Sequence, residues 1–157
     1  MEEKYQEISL QLNQINDSID AQYHIASEKM GLADSEMTVL YYLTAHGQIP
    51  SQSEIIRATG LSKQTLNSAI TRLEKEGIVC RLEKEKQSKG LALTQQGKKT
   101  VKEVLLPFMK KESEIFSSWS QEELSLFLEL NRRYLESLKQ IVKDLPSKSL
   151  GKESKNE

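Results

Sequence analysis

A chain of 157 residues, 37% hydrophobic and 29% charged, is long and apolar enough for one compact domain with its own core, which excludes a disordered polymer. No apolar run approaches the ~20 residues that span a bilayer, and no apolar stretch follows the acidic residues 1–5, so neither a membrane span nor a signal peptide is expected. A single cysteine, Cys80, rules out a disulfide within the chain, and a soluble protein of the reducing cytoplasm is the simplest reading.

Tyr5, Ile8, Leu12, Ile15, Ile19 and Tyr23 recur every three or four residues, which predicts a long first helix with one apolar stripe, stopping near Gly31. Met37, Leu40, Tyr41 and Leu43 predict a second helix over residues 34–46, ended by Gly47, with Pro50 holding the next stretch extended. Ser51-Gln52-Ser53-Glu54 has the form of a capping box and opens a short helix carrying Ile55, Ile56 and Ala58, stopped at Gly60. Ser62 caps a further helix running to about Glu76, with Gly77 at its end. Two capped helices joined by a tight glycine-containing turn make a helix-turn-helix.

Beyond Gly77 the period changes. Residues 78–82 and 91–93 are β-prone and flank a charged loop without a tight-turn dipeptide, which predicts a β-hairpin with a long tip. Thr94 caps the next helix, whose apolar positions (Val101, Val104, Leu105, Phe108, Ile115, Phe116 and Trp119) are interrupted by Pro107, where a kink or break is expected. A second capping box, Ser120-Gln121-Glu122-Glu123, starts a last amphipathic helix with Leu124, Phe127, Leu128, Asn131, Tyr134, Leu135, Leu138 and Ile141. The polar tail, 146–157, reads as disordered. The expected fold is mainly α with a small β-hairpin wing: a winged helix-turn-helix (33–97) between an N-terminal helix (1–32) and C-terminal helices (98–145). The terminal stripes are apolar enough to need partners, so a homodimer is expected.

Net charge is only −1, but residues 57–102 hold eleven Lys/Arg against four Glu, a basic middle between acidic flanks. On the helix from Ser62, Leu66, Ala69, Ile70 and Leu73 share one face. The opposite face carries Gln64, Asn67, Ser68, Thr71 and Lys75, flanked by Thr65 and Arg72, with Lys63 in the first turn. Small hydroxyl and amide groups differ from an ordinary Glu/Lys solvent face and match base edges in a major groove. Lys84, Lys86 and Lys89 in the wing suit phosphates or a minor groove. Ser51, Gln52 and Ser53 lie at a helix N-terminus, where backbone N–H groups can hold a phosphate.

Leu61-Ser62-Lys63-Gln64-Thr65, Arg72-Leu73-Glu74-Lys75-Glu76-Gly77-Ile78-Val79 and Leu93-Thr94-Gln95-Gln96-Gly97, together with Leu40…Leu43 and Ser51-Gln52-Ser53-Glu54, resemble the MarR family of bacterial regulators over residues 5–143. The resemblance implies a DNA-binding transcriptional regulator, most often a repressor. It would be a homodimer whose first and last helices interlock and whose recognition helices enter successive major grooves of a palindromic operator, about 34–36 Å apart. It also implies release by a small, commonly aromatic effector or by an oxidant. Where the family wing usually carries Asp-x-Arg, this chain has Glu85-Lys86-Gln87, so Gln87 stands at the tip position of the arginine. Lysine is a strongly hydrated point charge and suits a narrow groove less well. That departure motivates a second reading, a winged-helix module that binds a partner protein and has lost specific DNA reading. Ala33 stands where the family usually caps the second helix with Thr.

Other residues carry weaker signals. Cys80 alternates with Val79 in an apolar strand and reads as a small core residue before a redox sensor. His24 and His46 lack ligand spacing for a metal, no carboxylate pair or nucleophile motif is marked out for catalysis, and no Gly-rich phosphate loop calls for a cofactor. Tyr23, His24, Met37, Tyr41, Phe108 and Trp119 are aromatic, polar or soft enough for an effector pocket, although such residues at helical spacing more often form core or interface.

Overall fold

The computed structural model describes residues 2–47, 49–83 and 89–146. In chain order it has α1 (Glu2–Lys29), α2 (Asp34–His46), α3 (Gln52–Thr59), α4 (Lys63–Lys75), β1 (Val79–Glu83), β2 (Lys89–Leu93), α5 (Gln95–Thr100), a π-helical turn (Val101–Leu105), α6 (Leu106–Ile115), a 3-10 turn (Phe116–Ser118) and α7 (Gln121–Asp144). This is the mainly helical winged fold the sequence predicts. It divides into two compact units, residues 1–111 and 112–157. No helix among the described residues is long and apolar enough to cross a membrane.

The core lies in the first unit. Met37, Val39, Leu40 and Leu43 of α2 meet Ile55 of α3, Leu66, Ala69, Ile70 and Leu73 of α4, Leu91 of β2, and Val101 and Leu105 of the π-turn. Each Val, Leu, Ile or Met side chain among them, once fully removed from water, contributes roughly 1.5–3 kcal/mol before entropy is counted. The predicted inward face of α4 is therefore the buried one. Of the apolar residues that α3 carries, Ile55 is buried and Ile56 half-buried, but Ala58 faces water.

Caps set the helix boundaries. Ser51 Oγ accepts from Glu54 N–H and Glu54 reaches back to the Ser51 N–H at 2.6 Å. Ser120 and Glu123 repeat the arrangement at α7. At α2, Ala33 has no side-chain acceptor, so only the reverse half of a box forms: its N–H donates to Glu36 Oε2 at 2.8 Å. α4 ends as its motif requires, with Ile78 N–H on Leu73 C=O, Gly77 N–H on Glu74 C=O, and Gly77 at φ +70°.

The hairpin is antiparallel, pairing Val79 with Leu93 through Glu83 with Lys89. β1 keeps the expected length but sits one residue later, and β2 starts two residues earlier than its β-prone stretch, because the ladder carries polar residues along with apolar ones. Before α3, the Pro50 carbonyl accepts from Leu91 N–H at 2.9 Å and Ser51 forms a single antiparallel bridge with Gly90. The segment leading into α3 thus adds a short third edge to the wing.

Of the kink or break expected at Pro107, the break does not occur. The chain instead widens just before it: Leu106 N–H donates to Val101 C=O, five residues back. The π-turn absorbs the register disturbance around a proline that lacks an N–H, and α6 continues through it.

At the corner between α1 and α2, His24 Nδ1 sits 2.9–3.0 Å from both oxygens of Asp34. Its Nε2 is 3.6 Å from Glu28. The fully buried Ser27 hydroxyl reaches the His24 carbonyl at 2.8 Å and the Asp34 carboxylate. In the second unit, Trp119 packs edge-on against Phe116 and Phe127, with ring centroids 5.4 and 5.3 Å apart. The tail beyond Pro146 lies outside the described residues.

Candidate nucleic-acid interface

The side chains named from the helical wheel gather on α4. Lys63, Gln64, Asn67, Ser68, Thr71 and Arg72 line one shallow open concavity along its solvent face. All are exposed except the half-buried Asn67. The helix can offer this face because the Leu66, Ala69, Ile70 and Leu73 stripe is anchored on the opposite side. Ser62 and Thr65 are occupied locally: Ser62 Oγ accepts from Thr65 N–H at 3.0 Å and shares a 2.7 Å hydrogen bond with Thr65 Oγ1. These two hydroxyls therefore fix the start of α4 before they can serve any ligand.

At α3 the Glu54 carboxylate occupies both the N–H and the hydroxyl of Ser51. An incoming phosphate would find Gln52 and Ser53 ahead of Ser51. The bridge to Gly90 sets this N-terminus beside the far end of the hairpin ladder, next to its last pair, Glu83 with Lys89. Of the wing lysines, Lys89 lies on β2, paired with Glu83. Lys84, Lys86 and Gln87 fall outside the described residues.

A brace joins the end of α4 to the wing. Thr94 Oγ1 donates to the Gly77 carbonyl, Thr94 N–H donates to Ile78 C=O at 3.0 Å, and Gly97 N–H donates to Thr94 Oγ1 at 2.9 Å. A Cβ on Gly97 would stand 1.9 Å from the Ile78 carbonyl oxygen, so only glycine fits. The Leu-Thr-x-x-Gly run is therefore a clamp that holds α4 and the hairpin together. Arg81 of β1 adds an ion pair to Glu74 of α4 at 3.2 Å.

Two residues near the site escaped the sequence reading. Glu74 reads from sequence as an ordinary surface acid. Glu36 is the other: its side chain is 8% exposed, and Oε1 lies 3.8 Å from Arg72 Nη1. Its capping-box position was the available signal, and Ala33 hid it. Cys80 is half-buried on β1 opposite Ala92. Among the residues weighed for an effector, Tyr23 packs edge-on with Phe108 at 6.0 Å, and Met37 belongs to the core.

Residues 30–88 match the sequence profile of the MarR family. Solved structures with the same fold include the transcription regulator MarR from Oenococcus oeni PSU-1, at 20% identity, TM-score 0.68, covering 82% of this chain and 98% of that one. The S. aureus MepR–DNA complex aligns at 23% identity and TM-score 0.69, covering 83% and 95%. NadR in complex with 4-hydroxyphenylacetate aligns at 21% identity and TM-score 0.66, covering 81% and 91%.

Proposed function

From a chain whose winged-helix segment, residues 30–88, belongs to the MarR family, we infer a transcriptional regulator that binds duplex DNA through α4. The observation that carries this reading is the shared polar face of Lys63, Gln64, Asn67, Ser68, Thr71 and Arg72, backed by a buried apolar stripe. Amide side chains at Gln64 and Asn67 suit adenine edges, and the lysines and Arg72 suit phosphates. The basic balance of residues 57–102 supports the same reading. The wing lysines Lys84, Lys86 and Lys89 would add affinity more than specificity, since an ammonium is a strongly hydrated point charge.

The active species is a homodimer on a palindromic operator, acting as a repressor. α1 exposes Ile8, Ile15 and Ile19, and α7 exposes Leu128, Leu135, Leu138 and Ile141, apolar faces that a second copy would cover. Because NadR was solved with 4-hydroxyphenylacetate, a small aromatic acid is the effector class to test first.

Footprinting on the DNA upstream of its own gene tests the assignment. It should protect a palindrome, with affinity falling steeply as salt rises. Asn67→Ala or Gln64→Ala should relax sequence discrimination by about 1–3 kcal/mol if the contact is bidentate, whereas Lys86→Ala should weaken all duplexes alike. Equal affinity for any duplex at physiological salt would leave the partner-protein reading standing instead.

A further inference from the structure

Arg72 has two competing partners, and we propose that Glu36 is a positioning residue that sets DNA affinity by holding the Arg72 guanidinium until a backbone phosphate displaces it. The inference rests on the reading of α4 as the DNA-binding face. Glu36 stands in the first turn of α2, its carboxylate almost wholly buried. One oxygen is committed to the cap, taking the Ala33 N–H at 2.8 Å. The other faces Arg72, its one cationic partner within 4 Å among the described residues.

The two sides of the pair are unequal. Arg72 is two-thirds exposed and lines the same concavity as Gln64, Asn67 and Thr71. At 3.8 Å the contact is a charge pairing rather than a tight bidentate fork. The guanidinium can swing to a phosphate at little cost to itself, while Glu36 cannot follow and is left buried with its charge unpaired. The free protein therefore holds Arg72 back, and every duplex bears that loss on binding.

Duplexes selected from a random pool on the wild-type protein provide the probe, with titrations at several salt concentrations. Glu36→Gln keeps an oxygen for the Ala33 N–H and removes the charge. It should tighten selected and random duplexes alike by about two- to fivefold, the range of an ion pair this open to water. Arg72→Gln should weaken binding and reduce the salt slope by about one unit. In the Arg72→Gln background, Glu36→Gln should change affinity no further. Thermal unfolding of each variant identifies any that is misfolded, in which case Glu36→Ala or Arg72→Ala takes its place with the same expected direction. Unchanged affinity on Glu36→Gln, or the same gain with Arg72 absent, would overturn the proposal while DNA reading stands. Failure of the wild-type protein to retain any duplex would overturn both.

Discussion

At the scale of single residues, close approach decides most. Gly97 permits the carbonyl of Ile78 to lie where a side chain would otherwise begin. Gly97→Ala should therefore destabilise the protein by about 2–3 kcal/mol, as overpacking a tight site does, in chemical denaturation. It should also weaken DNA binding, because the clamp ties α4 to the wing. An unchanged midpoint would show that the backbone yields there. The glycine itself was legible in the sequence through the Leu-Thr-x-x-Gly run, but its reason was not. The run is local, whereas the carbonyl it accommodates is nineteen positions earlier. Glu36 was illegible for a similar reason. Burial of a carboxylate depends on α2 and α4 packing together, which no period reveals.

At the scale of elements, the α1–α2 corner is an electrostatic latch. Asp34 beside it, by hydrogen bond first and charge second, with Glu28 adding to both, raises the His24 imidazole above its ordinary value of 6.5. Hydrogen bonds from Ser27 and then His24 hold the Asp34 carboxyl below its ordinary 3.8. The signs fix the window. The His24 contribution is fully present below pH 6.5 and is lost as pH rises through the raised value. The Asp34 contribution is present above pH 3.8 and is lost as pH falls through the lowered one. His24→Gln should thus lower the melting temperature most at about pH 5–6, with the difference from wild type shrinking above neutrality. Equal differences at pH 5.5 and 8.5 would contradict the latch. Helix boundaries were readable because caps are written in adjacent residues. The response to Pro107 was not, because a proline states that the ladder must change without stating how.

At the scale of the whole molecule, apolar surface is left in the open. Ile15 and Ile19 in the first unit and Leu135 and Ile141 in the second are each exposed by about half. Their stripes were legible as amphipathic helices; what covers them was not, since periodicity marks a face and never its partner. If a second copy covers them, Ile15→Glu or Leu135→Glu should shift sedimentation from dimer to monomer at micromolar concentration and reduce operator affinity sharply. Monomers in the unmutated protein would refute the dimer. The aromatic corner of Phe116, Trp119 and Phe127 gives a reporter for the same transition, as Trp119 is the one tryptophan in the chain.

The π-turn at Val101–Leu105 can be regarded as a matter of phase. Each residue advances an α-helix by about 100°, so a turn that takes in one extra residue sets everything after it to a new angle. Downstream, Phe108 meets Tyr23 edge-on, with ring centroids 6.0 Å apart, at the angle that follows the widened turn. Deleting Glu103 would let an ordinary helix form and would leave composition almost untouched, yet it would turn Phe108 away from that contact. The protein would keep its helix content by circular dichroism and lose cooperativity of unfolding. In this sense the extra residue is a keyway, and the sequence beyond it is cut to fit.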